Sequence, residues 1–183
     1  MAGIIAGRRV FAEDLVNLNR SDAERRSNLR GKSRTDRVKN LDPMRVVLDT
    51  NVLVAAVRSR QGASFALVDS IPTAEFQICL SVGLYAEWQE VLTRPENLPP
   101  GQGSEEALGF LRYLASQAYL QDIHFLWRPL LTDADDDMVV ELAFSASCQY
   151  IITHNTADFR GAEILGVSAI TPRDFLKMIR TAK

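Results

Sequence analysis

Residues 44–57 read MRVVLDTNVLVAAV. The run from Met44 to Leu48 is compact, apolar and rich in β-branched side chains. It is too short for a helix, so it reads as a buried strand ending at Asp49. From Asn51 to Ser59 the pattern turns helical. Outward from this handover the alternation continues. Ala63 to Ser70 is helical, and Phe76 to Leu80 is a second strand. Ser81 can cap a helix running to about Arg94, which Pro95 stops. After the loop 97–103, Ser104 caps a helix with Glu105 and Glu106 in its first turn, where the helix dipole favours acids. That helix sends Leu108, Leu111, Leu114 and Ala118 inward. Ile123 to Trp127 reads as a short strand, Asp135 to Cys148 as a helix, and Tyr150 to Thr153 as a strand. A last strand spans Ser168 to Ile170, and Pro172 opens a final helix, Arg173 to Arg180. Strands alternating with helices predict an α/β fold in which a parallel sheet is covered on both faces. In such sheets ligands bind at the carboxyl ends of the strands.

The composition, 46% hydrophobic and 24% charged over 183 residues, is that of an ordinary soluble globular protein. No stretch approaches the ~20 apolar residues that span a bilayer. The first ten residues place Arg8 and Arg9 after a short apolar patch, the reverse of a signal peptide. The expectation is a cytoplasmic protein with no membrane segment. Cys79 and Cys148 sit among apolar residues and read as small buried hydrophobes. With no CxxC pattern, and His124 far from His154, a zinc site is not expected.

The net charge of −2 hides an asymmetry. Residues 1–43 carry 10 Lys/Arg against 6 Asp/Glu; residues 44–183 carry 11 against 17. Two domains of organisation follow: a basic, largely disordered N-terminal extension over 1–43 and a globular domain over 44–183. Within the extension, Phe11, Leu15 and Leu18 suit a short amphipathic helix over 10–18. Residues 19–40 are too polar to offset chain entropy by burial. The extension reads either as a solvated tail or, through Arg25, Arg26, Arg30 and Arg34, as an internal inhibitor complementary to the acidic domain.

The acids of that domain are concentrated. Asp49 ends the first strand. Asp158 follows the Tyr150–Thr153 strand by five residues, so the two acids share a crevice if those strands are neighbours. Asp133, Asp135, Asp136 and Asp137 crowd one helix start, more than capping requires. Like charges packed together need an opposite charge, and the helix they open offers no Lys or Arg, which points to a divalent cation. Glu87 lies mid-helix at the margin of an apolar face, with Glu90 one turn away toward solvent. Each acid also has an ordinary structural reading: turn residue for Asp49, helix cap for Asp136, surface acid for Glu87, turn cap for Asp158.

Four segments, VVLDTNVLVAAV, LSVGLYAEWQEVL, DADDDMVVELA and YIITHNTADF, come in that order. Together they resemble the PIN-domain family, in particular its bacterial branch of VapC-like toxins. The likeness covers 44–183 and none of 1–43. It implies a three-layer α/β/α fold around a parallel sheet of about four or five strands. Residue by residue, it assigns catalytic and metal-holding roles to Asp49, Glu87, Asp136 and Asp158. Asp136 stands seven residues before Ala143, the family's small residue, and Asp137 is the one-residue alternative. Thr50, Asn51, Thr153 and Asn155 match polar positions that orient the acids and water. Some family members have Asp where Asn155 stands, which bears on how firmly a second metal is held. The resemblance further implies an RNA substrate, an antitoxin partner and a homodimer. The helices over 62–72 and 81–95 are candidate dimer faces.

Oxygen-only ligands suit Mg²⁺ or Mn²⁺. Such ions activate water and stabilise the leaving oxygen of a phosphodiester. The expected activity is therefore metal-dependent endoribonucleolytic hydrolysis, as the toxin of a toxin–antitoxin pair. A catalytically silent binding module of the same fold and a metal-dependent DNA nuclease or phosphatase are the alternatives. Trp88 and Trp127 are expected in core packing rather than on RNA bases, and His154 in a role other than general base.

Overall fold

The computed structural model describes residues 43–123, 131 and 134–181. The expectations for residues 1–42, His124 and Trp127 fall outside the described residues. Five parallel strands form one sheet: β1 (Met44–Leu48), β2 (Phe76–Leu80), β3 (Tyr119–Leu120), β4 (Tyr150–Ile152) and β5 (Ser168–Ile170), in the order β3-β2-β1-β4-β5. The helices are α1 (Thr50–Arg58), α2 (Ala63–Asp69), α3 (Val82–Leu92), α4 (Ser104–Gln117), α5 (Ala134–Ser145) and α6 (Pro172–Thr181). Short 3-10 turns span Pro95–Asn97 and Arg160–Leu165.

Val46, Val47 and Leu48 are consecutive and all fully buried. A strand with both faces covered needs such an unbroken apolar run, and a half-exposed one would alternate. The two faces meet different partners. Phe76, paired with Met44, and Tyr150, paired with Val46, present rings that pack edge-on against Phe175 of α6. Cys79, paired with Val47, lies on the opposite face. On that side Arg45 donates to the Ala146 carbonyl at 2.9 Å and stacks its guanidinium 4.1 Å over Tyr119. Trp88 is fully buried in the core, and Cys79 and Cys148 are buried free thiols.

Two local expectations shift. Tyr119–Leu120 is a strand that the sequence did not lead one to expect, and the strand expected over 123–127 falls, past Ile123, outside the described residues. α4 ends at Gln117, and the chain enters the ladder within two residues, pairing Tyr119 with Cys79. The ladder ends as Gln121 N–H donates to Leu80 O at 2.9 Å. The cap of α4 is Gly103, whose N–H is accepted by Glu106 Oε2 at 2.9 Å, with Ser104 already inside the helix. Ser81 does cap α3, accepting from Leu84 N–H.

The order of strands fixes the site. From β1 the chain moves to β2 and β3 on one side, then returns to β4 on the other. Leu48 and Ile152 are partners at the carboxyl ends of β1 and β4. The strand order therefore reverses where Asp49 and Thr153 emerge, and that is where an open α/β sheet leaves a crevice.

Candidate active site

Asp49 leaves β1 and caps α1, with its Oδ1 accepting Asn51 N–H at 3.3 Å. Its Oδ2 accepts from Thr153 Oγ1 and from Asn51 Nδ2, both at 2.6 Å. Asn51 Nδ2 also donates to Thr153 Oγ1 at 3.0 Å, and its Oδ1 accepts His154 N–H at 3.2 Å. Asn155 N–H donates to the same Thr153 hydroxyl at 2.9 Å. Thr153 is fully buried and thus joins the loops after β1 and β4 through one oxygen. Burial raises the Asp49 carboxyl above its ordinary range. The Thr153 hydroxyl, the Asn51 and Thr50 amides and His154 pull it back only in part.

Across from Asp49, Glu87 is carried by α3. Its Oε1 accepts from Thr50 Oγ1 at 2.6 Å, which ties α3 to the start of α1. Asp49, Glu87, Asp136 and Asp158 all line one open cleft of about 660 Å³, together with Thr50, Asn51 and Asn155. The four acids come from the end of β1, from α3, from α5 and from the loop after β4. Asp158 is exposed, and its side chain makes no hydrogen bond or ion pair among the described residues. Asp137 is placed differently. It is buried, and its Oδ1 accepts Leu131 N–H at 2.7 Å, which is the duty of a cap. Of the two adjacent acids, it is Asp136 that lines the cleft.

Among the polar lining residues, Arg58 and Asn97 went unannounced in the sequence. Arg58 lies eight residues after Thr50 on the same stripe of α1, a spacing that the helical period makes readable once the cleft axis is known. Asn97 sits in the turn after α3, buried and donating to Val91 O at 2.8 Å, and no sequence signal marks it. Nor does any mark Glu141, a buried acid in α5. His154 faces elsewhere, its Nε2 2.8 Å from Ser64 Oγ.

The donor set is all oxygen, as hard divalent cations require. Among the described residues, no three His, Cys, Asp or Glu side chains converge into a ready cage. Mg²⁺ does not need one: it keeps several waters and binds through one or two carboxylates plus substrate phosphates. Four carboxylates around an open cleft fit that mode. The partly buried Asp49, whose charged form burial penalises, gains from a nearby cation.

The PIN domain family model matches residues 45–157. None of the curated proteins matches the chain in sequence. Among solved structures, the chain is similar to VapBC2 from Rickettsia felis bound to a DNA fragment from their promoter. That likeness has 16% identity over 70% of this chain and 98% of that one, with a TM-score of 0.50. It is also similar to VapBC-1 from nontypeable Haemophilus influenzae, at 18% identity over 71% and 99% of the two chains and a TM-score of 0.49. FitAB bound to an IR36 DNA fragment stands at 19% identity over 69% and 94%, with a TM-score of 0.49. The Rickettsia likeness agrees with the parallel five-stranded α/β fold. With a family match over more than half its length, the chain belongs to the PIN-domain family.

Proposed function

We propose that this protein is a divalent-metal-dependent endoribonuclease acting as the toxin of a toxin–antitoxin pair. The observation that carries the reading is the assembly of Asp49, Glu87, Asp136 and Asp158, from four separate elements, around one cleft. Mg²⁺ or Mn²⁺ bound there would supply a water of lowered pKa and neutralise charge building on the phosphate. The chain's own residues prepare that event. Thr153 and Asn51 hold Asp49 in one orientation, so its oxygens need not reorganise. Thr50 fixes Glu87 across the cleft. Asp158, committed to no other side chain among the described residues, can receive a cation or a water.

The antitoxin partner is a protein segment that blocks the acids. A neighbouring apolar cavity of about 400 Å³, lined by Phe65, Val68, Ile71 and Phe110, shares Asn97 with the acid cleft as a common wall. A segment with apolar anchors and a basic side chain suits this pair of cavities. A homodimer through α2 and α3 completes the proposed assembly. Among the described residues, no helix is long and apolar enough to cross a membrane.

The test is cleavage of a mixed RNA pool by the purified protein with Mg²⁺ or Mn²⁺, then with chelator, beside Asp49→Asn of confirmed fold. The expected result is cleavage that needs metal and is lost in the variant. RNA left intact while DNA or a phosphomonoester is hydrolysed moves the reading to a DNA nuclease or a phosphatase. RNA bound and never cut makes it a silent binding module.

A further inference from the structure

Thr50, Val54 and Arg58 stand one turn apart along α1, and all three line the acid cleft. Glu87 and Val91 form the facing stripe on α3, and Asn97 closes that wall. The cleft is therefore a trough with a direction. One end is acidic, the middle is apolar, and the far end carries a guanidinium. Eight residues of helix put Arg58 about 12 Å along the axis from Thr50. Arg58 is the only Lys or Arg among the lining residues. Among the described residues Arg58 makes no ion pair. Its Nη2 instead donates to the Glu96 carbonyl at 3.0 Å. That exposed bond tethers one guanidinium nitrogen and, among the described residues, leaves most of the five N–H donors unspent.

We propose that Arg58 binds a backbone phosphate of the substrate strand, flanking the bond that is cut, and so sets the strand's direction through the cleft. The inference rests on the nuclease reading. A strand whose scissile phosphate lies among the acids must extend its neighbouring phosphates along an acidic domain. A guanidinium already tethered offers charge and bidentate geometry with little further loss of side-chain freedom. Val54 and Val91, between the two ends, present an apolar floor suited to sugar and base rather than to charge.

The experiment compares wild type, Arg58→Ala and Arg58→Lys, all full length. Cleavage is followed on an oligouridylate of about 12 nucleotides and on bis(p-nitrophenyl) phosphate, which has no flanking phosphate. Binding is followed by fluorescence anisotropy in an Asp49→Asn background across a salt series. For Arg58→Ala the expected KM for RNA rises roughly five- to tenfold with kcat little changed. The slope of log affinity against log salt shrinks by about 0.7, the share of one single-strand phosphate contact. Hydrolysis of the small diester stays as in wild type, and Arg58→Lys recovers the slope. A structural role alone, bracing the Pro95–Asn97 turn, would lower the melting temperature and leave the salt slope untouched. That outcome, or an unchanged KM, overturns the inference while leaving the nuclease reading standing. If wild type neither binds nor cuts RNA, both fall.

Discussion

Replacing Thr153 by Val keeps the shape of a fully buried side chain and removes one hydroxyl. That hydroxyl donates to Asp49 Oδ2 at 2.6 Å and accepts from Asn51 Nδ2 and Asn155 N–H. Losing a hydrogen bond to a charged group costs about 1.5–3 kcal/mol. Asn51 Nδ2 keeps its bond to Asp49, and Asn155 is exposed, so those losses add little. At roughly 3 °C per kcal/mol for a domain of this size, the metal-free variant should melt about 5–9 °C lower at pH 7. The pH dependence carries the diagnosis. Burial raises the folded-state pKa of Asp49 above its ordinary 3.8, and the Thr153 bond is the largest influence opposing that rise. A raised folded pKa means stability that is fully present below the unfolded value and is lost as pH rises through the folded one. Removing Thr153 moves the folded pKa further up. The penalty should therefore be largest at neutral pH and shrink toward pH 4, where a protonated Asp49 no longer needs the hydroxyl. Excess Mn²⁺ at pH 7 should recover part of the loss by binding the folded state. Differential scanning calorimetry from pH 4 to 8, with Thr153→Ser as the control that keeps the hydroxyl, measures all of this. An equal drop at every pH would mean lost packing rather than a lost bond to a carboxylate, and the reasoning would be wrong.

At the start of α6, Thr171 donates to Asp174 and Asp174 N–H returns to Thr171, while Lys177 lies 3.1 Å from the carboxylate. The Thr171 bond, then Lys177, lowers the Asp174 pKa below 3.8, so its contribution is present above that value and fades as pH falls through the lowered one. Asp174→Asn should flatten the acid limb of the melting curve below pH 4 and leave pH 7 activity alone; an unchanged limb would deny the cap. Contact with Cys79, then burial, pushes the Cys148 thiol up. Native protein should therefore resist iodoacetamide at both cysteines and react at both in denaturant, as mass spectrometry would read; prompt native labelling would contradict the burial. Deleting residues 1–43 should speed RNA cleavage at low salt, with the gain closing as salt screens the attraction; equal rates at every salt would retire the internal inhibitor.

The elements most legible in the sequence were those whose backbone and side chains obey one period. β1 announced itself because a doubly covered strand must be apolar without alternation, and α3 because Ser81 and Pro95 bracket it. β3 was not legible. Its two residues are only half-buried, and they owe their strand geometry to Cys79 and Leu80 on β2. At the site, Asp49 and Asp158 were readable from their place after strands, whereas Asp136 was preferred through the family likeness alone, with Asp137 open beside it. Adjacent helix positions differ by about 100° around the axis, and only the packing of α5 decides which faces the cleft. Arg58 and Asn97 escaped because their role depends on where α1 and α3 run relative to each other, a tertiary fact with no local signature.

The structural duty of Asp49, beside the catalytic one proposed for it, bears on how members of this fold should be judged from sequence. Its N–H pairs with Ile152, its carbonyl accepts from Val52, and its side chain caps α1. Selection for folding alone would keep an Asp, Asn or Ser there long after any chemistry had lapsed. The first acid is thus poor testimony of a working enzyme, however faithfully it recurs. Among the described residues, the Asp158 side chain carries no such architectural obligation. Its carboxylate is exposed, and drift would erase it at little cost to stability. In a divergent copy, the survival of an acid at that position is the better witness that the cleft still does chemistry.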